Sequence, residues 1–194
     1  MASAKLRSRR AVLEQVGELA TTLRAGLAQL PGGARDPRVV DAVWQGEGLG
    51  VLLWALELVE LPPFDLPFDA NRLLQAPLRA SPLRAQAEIE HARETARLWH
   101  WRARTSIVRS SPDLRPPERW QSFEQLVAVA AMRGHERGLL PPPLRGDFSA
   151  FGTGYRDLST AQQGEALSIS YERHRALNWL CGEGKSWAET PTDT

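Results

Sequence analysis

The chain has 194 residues, a formal net charge of +1 and one cysteine. That length suits one domain, or two small ones, and lets about 70% of the unfolded surface be buried. One cysteine excludes a disulfide framework and a cysteine-based zinc site, and near-neutral charge argues against a dedicated nucleic-acid binder. The apolar fraction of 42% excludes global disorder. Two skews remain: 7 Trp against 2 Tyr and 5 Phe, and 22 Arg against 2 Lys.

The N-terminus is basic at Lys5, Arg7, Arg9 and Arg10, but Glu14 and Glu18 interrupt the apolar residues beyond Arg10. It therefore reads as a solvated helix end, not a secretory signal or a presequence. No stretch of 18 uncharged apolar residues occurs, so no transmembrane helix and a cytoplasmic location are expected. Leu13, Val16, Ala20, Leu23, Leu27 and Leu30 recur at spacings of three and four. They predict an amphipathic helix over about 6–30, stopped by Pro31-Gly32-Gly33.

Asp36 as N-cap with Pro37 behind it predicts a short helix to about 45. A second helix is predicted over about 47–61, apolar on most sides through Leu49, Leu52, Leu53, Trp54, Leu56 and Val59. It should be central, and Pro62-Pro63 should end it. Gly46-Glu47-Gly48-Leu49-Gly50 is glycine-rich but has no preceding strand and no Gly-Lys-Ser/Thr, so it is not a phosphate-binding loop. It reads as a helix start with small residues at a packing contact. Residues 64–69 form a loop in which Asp65 and Asp69 cap the turn and a short helix near 71–75.

Ser81-Pro82 marks the start of the longest helix, running to about 108 on the stripe Ala85, Ile89, Ala92, Ala96, Trp99, Ala103 and Ile107. A linker-like loop covers 109–117, a helix about 118–137, and an irregular region about 138–158. Ser159 with Gln162 forms a capping-box pattern that opens the last helix. Gly182 and Gly184 close it after Cys181. The ends, about 1–5 and 188–194, are expected to be flexible. The fold class is all-α: a single-domain bundle of about five to seven helices.

His91, His100, His135 and His174 show no metal-ligand spacing, so no metal site and no cofactor are expected. His174 lies two turns, about 10 Å, from Cys181, too far to activate it. Cys181 reads as a buried structural thiol. The run from Tyr171 to Leu180 carries the most information. Arg173 falls on the same face as Ala166, Ile169, Ala176, Leu177 and Leu180 and points partly into the core. Glu172, Arg175, Asn178 and Trp179 share another face. Buried arginines need partners, and Glu88, Glu90 and Glu172 are the candidates. This set either binds an anionic or planar ligand or forms a polar network that fixes helix register; we favour the network.

The same run, Glu172-Arg173-His174-Arg175-Ala176-Leu177-Asn178-Trp179-Leu180, then Trp187 and the ending Thr192-Asp193-Thr194, resembles the C-terminal signature of the bacterial family called domain of unknown function 4272. Arg9-Arg10-Ala11 is similar to the opening of the family's first helix. Trp44, then Leu52-Leu53-Trp54-Ala55-Leu56 and Leu61-Pro62-Pro63, resembles its central helix and loop. Arg84, Ala87-Glu88-Ile89 and Trp99 resemble the family's next segment. The chain departs from the family at Gln86 and at Ala188-Glu189, where acids are usual. The resemblance covers most of the chain outside about 110–158 and implies a soluble bacterial protein; it brings no activity, cofactor or catalytic residue.

The function expected is a non-enzymatic protein-interaction module of adaptor or immunity-like type. No catalytic constellation is present, and an exposed aromatic and Arg content would suit an interface. A protein partner is therefore expected, without membrane or nucleic acid. The alternative is an enzyme or small-ligand binder with a pocket drawn from Arg84, Glu88, Glu172, Arg173, Arg175, Asn178 and Trp179.

Overall fold

The most apolar helix of the chain lies at its centre. In the computed structural model, which describes residues 5–33, 36–78, 82–108 and 115–194, α2 (Pro37–Ala55) packs against α6 (Thr160–Leu180). Helix α1 (Arg9–Gly33) covers the other side of α2, and α4 (Gln86–Val108) covers α6. The short α3 (Ala70–Gln75) lies by α2, and α5 (Phe123–Glu136) flanks α4. Strands β1 (Ser149–Ala150) and β2 (Thr153–Gly154) form a small antiparallel hairpin, with Ser149 opposite Gly154. One contiguous apolar core joins Val12, Leu23, Leu52, Ile89, Trp99, Phe148, Ile169 and Leu177. The described chain is thus mostly helical, as its periodicity predicts, and none of its helices is long and apolar enough to cross a membrane.

Two expected helices are one. Helix α2 runs unbroken through Gly46, Gly48 and Gly50. Glycine in a helix interior costs about 1 kcal/mol relative to alanine, but here each glycine admits a neighbour. A Cβ on Gly46 would meet Leu23 at 3.3 Å, on Gly48 the Trp187 ring at 2.9 Å, and on Gly50 the Phe68 ring at 2.4 Å. The packing contact is as expected; the helix start there is not.

Helix α2 then stops at Ala55, well short of Pro62. Glu57 adopts a left-handed φ of 59°. Its N–H donates to Trp54 O, and the N–H of Leu58 donates to Leu53 O. This is a Schellman stop with Glu where glycine is usual, so no residue signal announced it. The consequence is a longer loop, 56–69, which walls the candidate site.

Other boundaries move by a few residues. Helix α1 continues through Pro31, and α4 begins at Gln86. The expected cap Ser81 and residues 109–114 of the expected linker lie outside the described residues. Helix α5 begins at Phe123, where the Ser122 side chain accepts from the N–H of Gln125. The capping box of Ser159 and Gln162 forms as expected, and Gly182 closes α6 at a φ of 82°. In the C-terminal segment Thr190 is buried and Trp187 meets Trp179 edge-on at 5.7 Å. None of the seven Trp side chains is exposed, and Tyr171 is the aromatic that reaches the surface among the described residues.

Candidate functional site

Arg173 is fully buried, deeper than its partly inward helix face predicts, and its partner is not on α4. Its Nε donates to Glu47 Oε2 at 2.8 Å. Its Nη1 donates to the carbonyls of Pro62 at 2.8 Å and Pro63 at 3.0 Å, and its Nη2 to that of Leu66 at 2.7 Å. The second Glu47 oxygen accepts from the Phe68 N–H at 2.8 Å. The rings of Phe64 and Phe68 each lie 5.0 Å from the guanidinium. Burial pushes the Glu47 carboxyl above its ordinary value, and Arg173 pulls it back. A lone carboxylate between glycines in an apolar helix was the available signal for Glu47. The expected partners are engaged elsewhere: Glu88 with Arg84 at 3.3 Å, and Glu90 with Gln86 at 2.8 Å. Arg84 itself donates to Trp54 O at 2.8 Å and stacks over that ring.

This clamp fixes the 56–69 loop from the inside. The outer side of the same loop, with α3, walls a groove of about 570 Å³ lined by Leu58, Val59, Pro62, Leu66, Phe68 and Leu73. Asp69 caps α3 through the N–H groups of Asn71 and Arg72, as expected. Asp65 instead accepts from the Phe151 N–H at 2.8 Å and ties the loop to the hairpin turn. Leu66 stays 55% exposed at the groove and Leu78, just beyond α3, is 60% exposed.

Glu172 and Arg175 form a separate pair, Oε2 to Nη2 at 2.7 Å. They face a cavity of about 320 Å³ between α2 and α6, shared with Asp41, Trp44 and Ser168. Desolvation pushes the Glu172 carboxyl up to about 7, against the pull of Arg175 and with a further push from Asp41 and Glu47. The Arg175 guanidinium lies 5.0 Å from the Trp187 ring and 5.7 Å from that of Tyr171.

Asn178 belongs to a third group. Its Oδ1 accepts from Arg93 Nε at 2.6 Å, and Arg93 also pairs with Glu183. Its Nδ2 reaches Pro191 O at 2.9 Å and His174 Nε2 at 3.1 Å. His174 Nδ1 meets His100 Nδ1 at 3.1 Å, both rings buried. Trp179 is buried beneath Arg7, which donates to its carbonyl at 3.1 Å. The basic N-terminus is therefore partly built into the protein rather than wholly solvated. Burial also raises the Cys181 thiol above its ordinary value.

The seven candidate residues thus divide among four places and do not line one pocket. Glu47, Arg93, His100 and His174 were missed, because their contacts cross between helices far apart in sequence. Among the described residues no group of three or more His, Cys, Asp or Glu could hold a metal ion. No protein-family model matches the chain, and no curated protein or solved structure matches it.

Proposed function

We propose that this chain is a non-enzymatic interaction module that receives an apolar segment of a partner protein in the groove between the 56–69 loop and α3. One observation carries this reading: Leu66 presents its side chain to solvent while its carbonyl is held from beneath by Arg173. A surface loop normally loses conformational freedom when a partner docks, and that ordering opposes binding. Here one buried guanidinium and one buried carboxylate order the loop beforehand. The groove is mostly apolar, and Glu60 stands on its wall. Asp69 and Arg72 on the same wall already pair with each other. A segment with two or three apolar side chains and a flanking Lys or Arg would complement that surface. Membership of domain of unknown function 4272 is part of the same proposal and adds no activity to it.

Peptide-display selection against the intact protein tests the proposal. Enriched peptides should combine apolar anchors with a basic residue, and Leu66→Asp should lower their affinity about tenfold or more. Enrichment that is indifferent to Leu66→Asp, or no enrichment at all, would refute a docking role for the groove.

A further inference from the structure

The buried histidine pair has a fixed hydrogen-bond direction, and that direction ends in a cavity. Arg93 Nε can only donate, so the Asn178 atom it meets is the carbonyl oxygen. The Asn178 amide nitrogen must then donate both its hydrogens, one to Pro191 O and one to His174 Nε2. His174 therefore accepts at Nε2 and carries its proton on Nδ1. That proton is donated to His100 Nδ1 at 3.1 Å. His100 in turn carries its proton on Nε2, and this nitrogen has no partner among the described residues, although His100 is only 2% exposed.

His100 lines a cavity of about 390 Å³ between α4, α6 and the C-terminal segment. The other polar groups on its wall are Arg104 and the hydroxyls of Ser168, Tyr171 and Thr192; the apolar wall is Ile107 and Leu167. No carboxylate lines it. None of these polar side chains has a hydrogen bond or ion pair to another described residue. The site thus offers one guanidinium, one oriented imidazole N–H and three hydroxyls beside an apolar surface.

We propose that this cavity binds a small organic monocarboxylate, its carboxylate gripped by His100 Nε2–H and Arg104 and its short hydrocarbon body seated on Ile107 and Leu167. The charge matches: one guanidinium beside a neutral imidazole neutralises one negative charge. The surrounding field agrees. Burial, then Arg104, lowers His100 to about 4. Burial, then His100, Arg93 and Arg97, lowers His174 to about 3. Both rings are neutral at physiological pH, and an anion would relieve the positive field that helps keep them so. The inference does not depend on the docking groove, which none of these residues lines.

Titrating hexanoate into the intact protein, with the side-chain nitrogens of histidine followed by ¹H–¹⁵N NMR, is the test. Hexylammonium serves as the cation of equal length, and inorganic phosphate as a headgroup without a tail. Hexanoate should shift the His100 Nε2 resonance saturably, and hexylammonium should not. Arg104 is exposed, so Arg104→Gln should fold normally while weakening hexanoate about tenfold or more. Four results overturn the proposal: no saturable shift, equal binding of hexylammonium, phosphate bound as tightly as hexanoate, or unchanged affinity in Arg104→Gln.

Discussion

Arg102 is as deeply buried as Arg173 and, like it, meets one carboxylate, but it has no backbone carbonyls around it among its described hydrogen bonds. Its Nε and Nη2 donate to the two oxygens of Asp147, each at 2.7 Å, and its guanidinium lies 4.3 Å from the Tyr155 ring. Burial alone would raise the Asp147 carboxyl. The Arg102 fork and the N–H groups of Phe148 and Arg156 outweigh it and hold the group below its ordinary value. Asp147 therefore adds stability above its unfolded pKa, and that stability is lost as pH falls through the folded one. Asp147→Asn leaves a buried guanidinium without its counter-charge and should cost about 3–5 kcal/mol in urea denaturation at neutral pH. Glu172 runs the other way. Its carboxyl is raised from 4.5 to about 7, so the folded state holds its proton longer than the unfolded chain does. Its contribution is complete below 4.5 and is lost as pH rises through about 7. The whole effect is on the order of 3 kcal/mol. Glu172→Gln keeps the neutral form, so its stability should gain on the natural protein as pH goes from acid to mildly alkaline. A stability difference that stays flat over that range would mean that Glu172 titrates in the fold as it does in the unfolded chain.

Gly17 in α1 and Gly50 in α2 look alike in sequence and behave oppositely in their helices. Gly17 in α1 has open space where a Cβ would be, whereas Gly50 in α2 would drive one into the Phe68 ring at 2.4 Å. Gly17→Ala should therefore stabilise by up to about 1 kcal/mol. Gly50→Ala should destabilise by about 1–3 kcal/mol through overpacking, and both are read directly from thermal melts. The contrast explains what could be seen in the residues and what could not. The start of α6 was legible because Ser159 and Gln162 satisfy the helix terminus locally. The burial of Arg173 was partly legible because its helix face is otherwise apolar. The continuity of α2 was not, since helix propensity reads each glycine as a break and the compensating neighbours, Leu23, Phe68 and Trp187, come from other elements. Nor was the Arg173–Glu47 pair, which joins residues 126 positions apart. Glu57 hid the end of α2 by taking a left-handed conformation that nothing in its chemistry demands.

Three Arg–Trp stacks join parts of the chain that are separated in sequence. Arg84 covers Trp54, Arg7 covers Trp179 and Arg175 faces Trp187, each at 5.0 Å. Two of these pairs fasten the ends of the described chain to the last turns of α6. From one side Arg7 donates to Trp179 O at 3.1 Å and to Gly184 O at 2.6 Å. From the other, Trp187 fills the notch at Gly48, and Pro191 O accepts from Asn178 at 2.9 Å. The terminal segment therefore closes the α2–α6 contact and also supplies Thr192 to the His100 cavity. Deleting residues 187–194 removes the ring against Gly48, uncovers Arg175 and leaves one Asn178 hydrogen without its acceptor. Losing the half-buried ring and this hydrogen bond together should cost about 2–4 kcal/mol. Trp187→Ala alone should account for most of that loss, because the ring makes the larger contact. Hydrogen exchange should then quicken in the C-terminal half of α6 and around Gly48, while α5, which packs on α4 away from this seam, keeps its protection. Uniform loss of protection over all helices would instead show that the segment is part of a single cooperative core, with no separable seam.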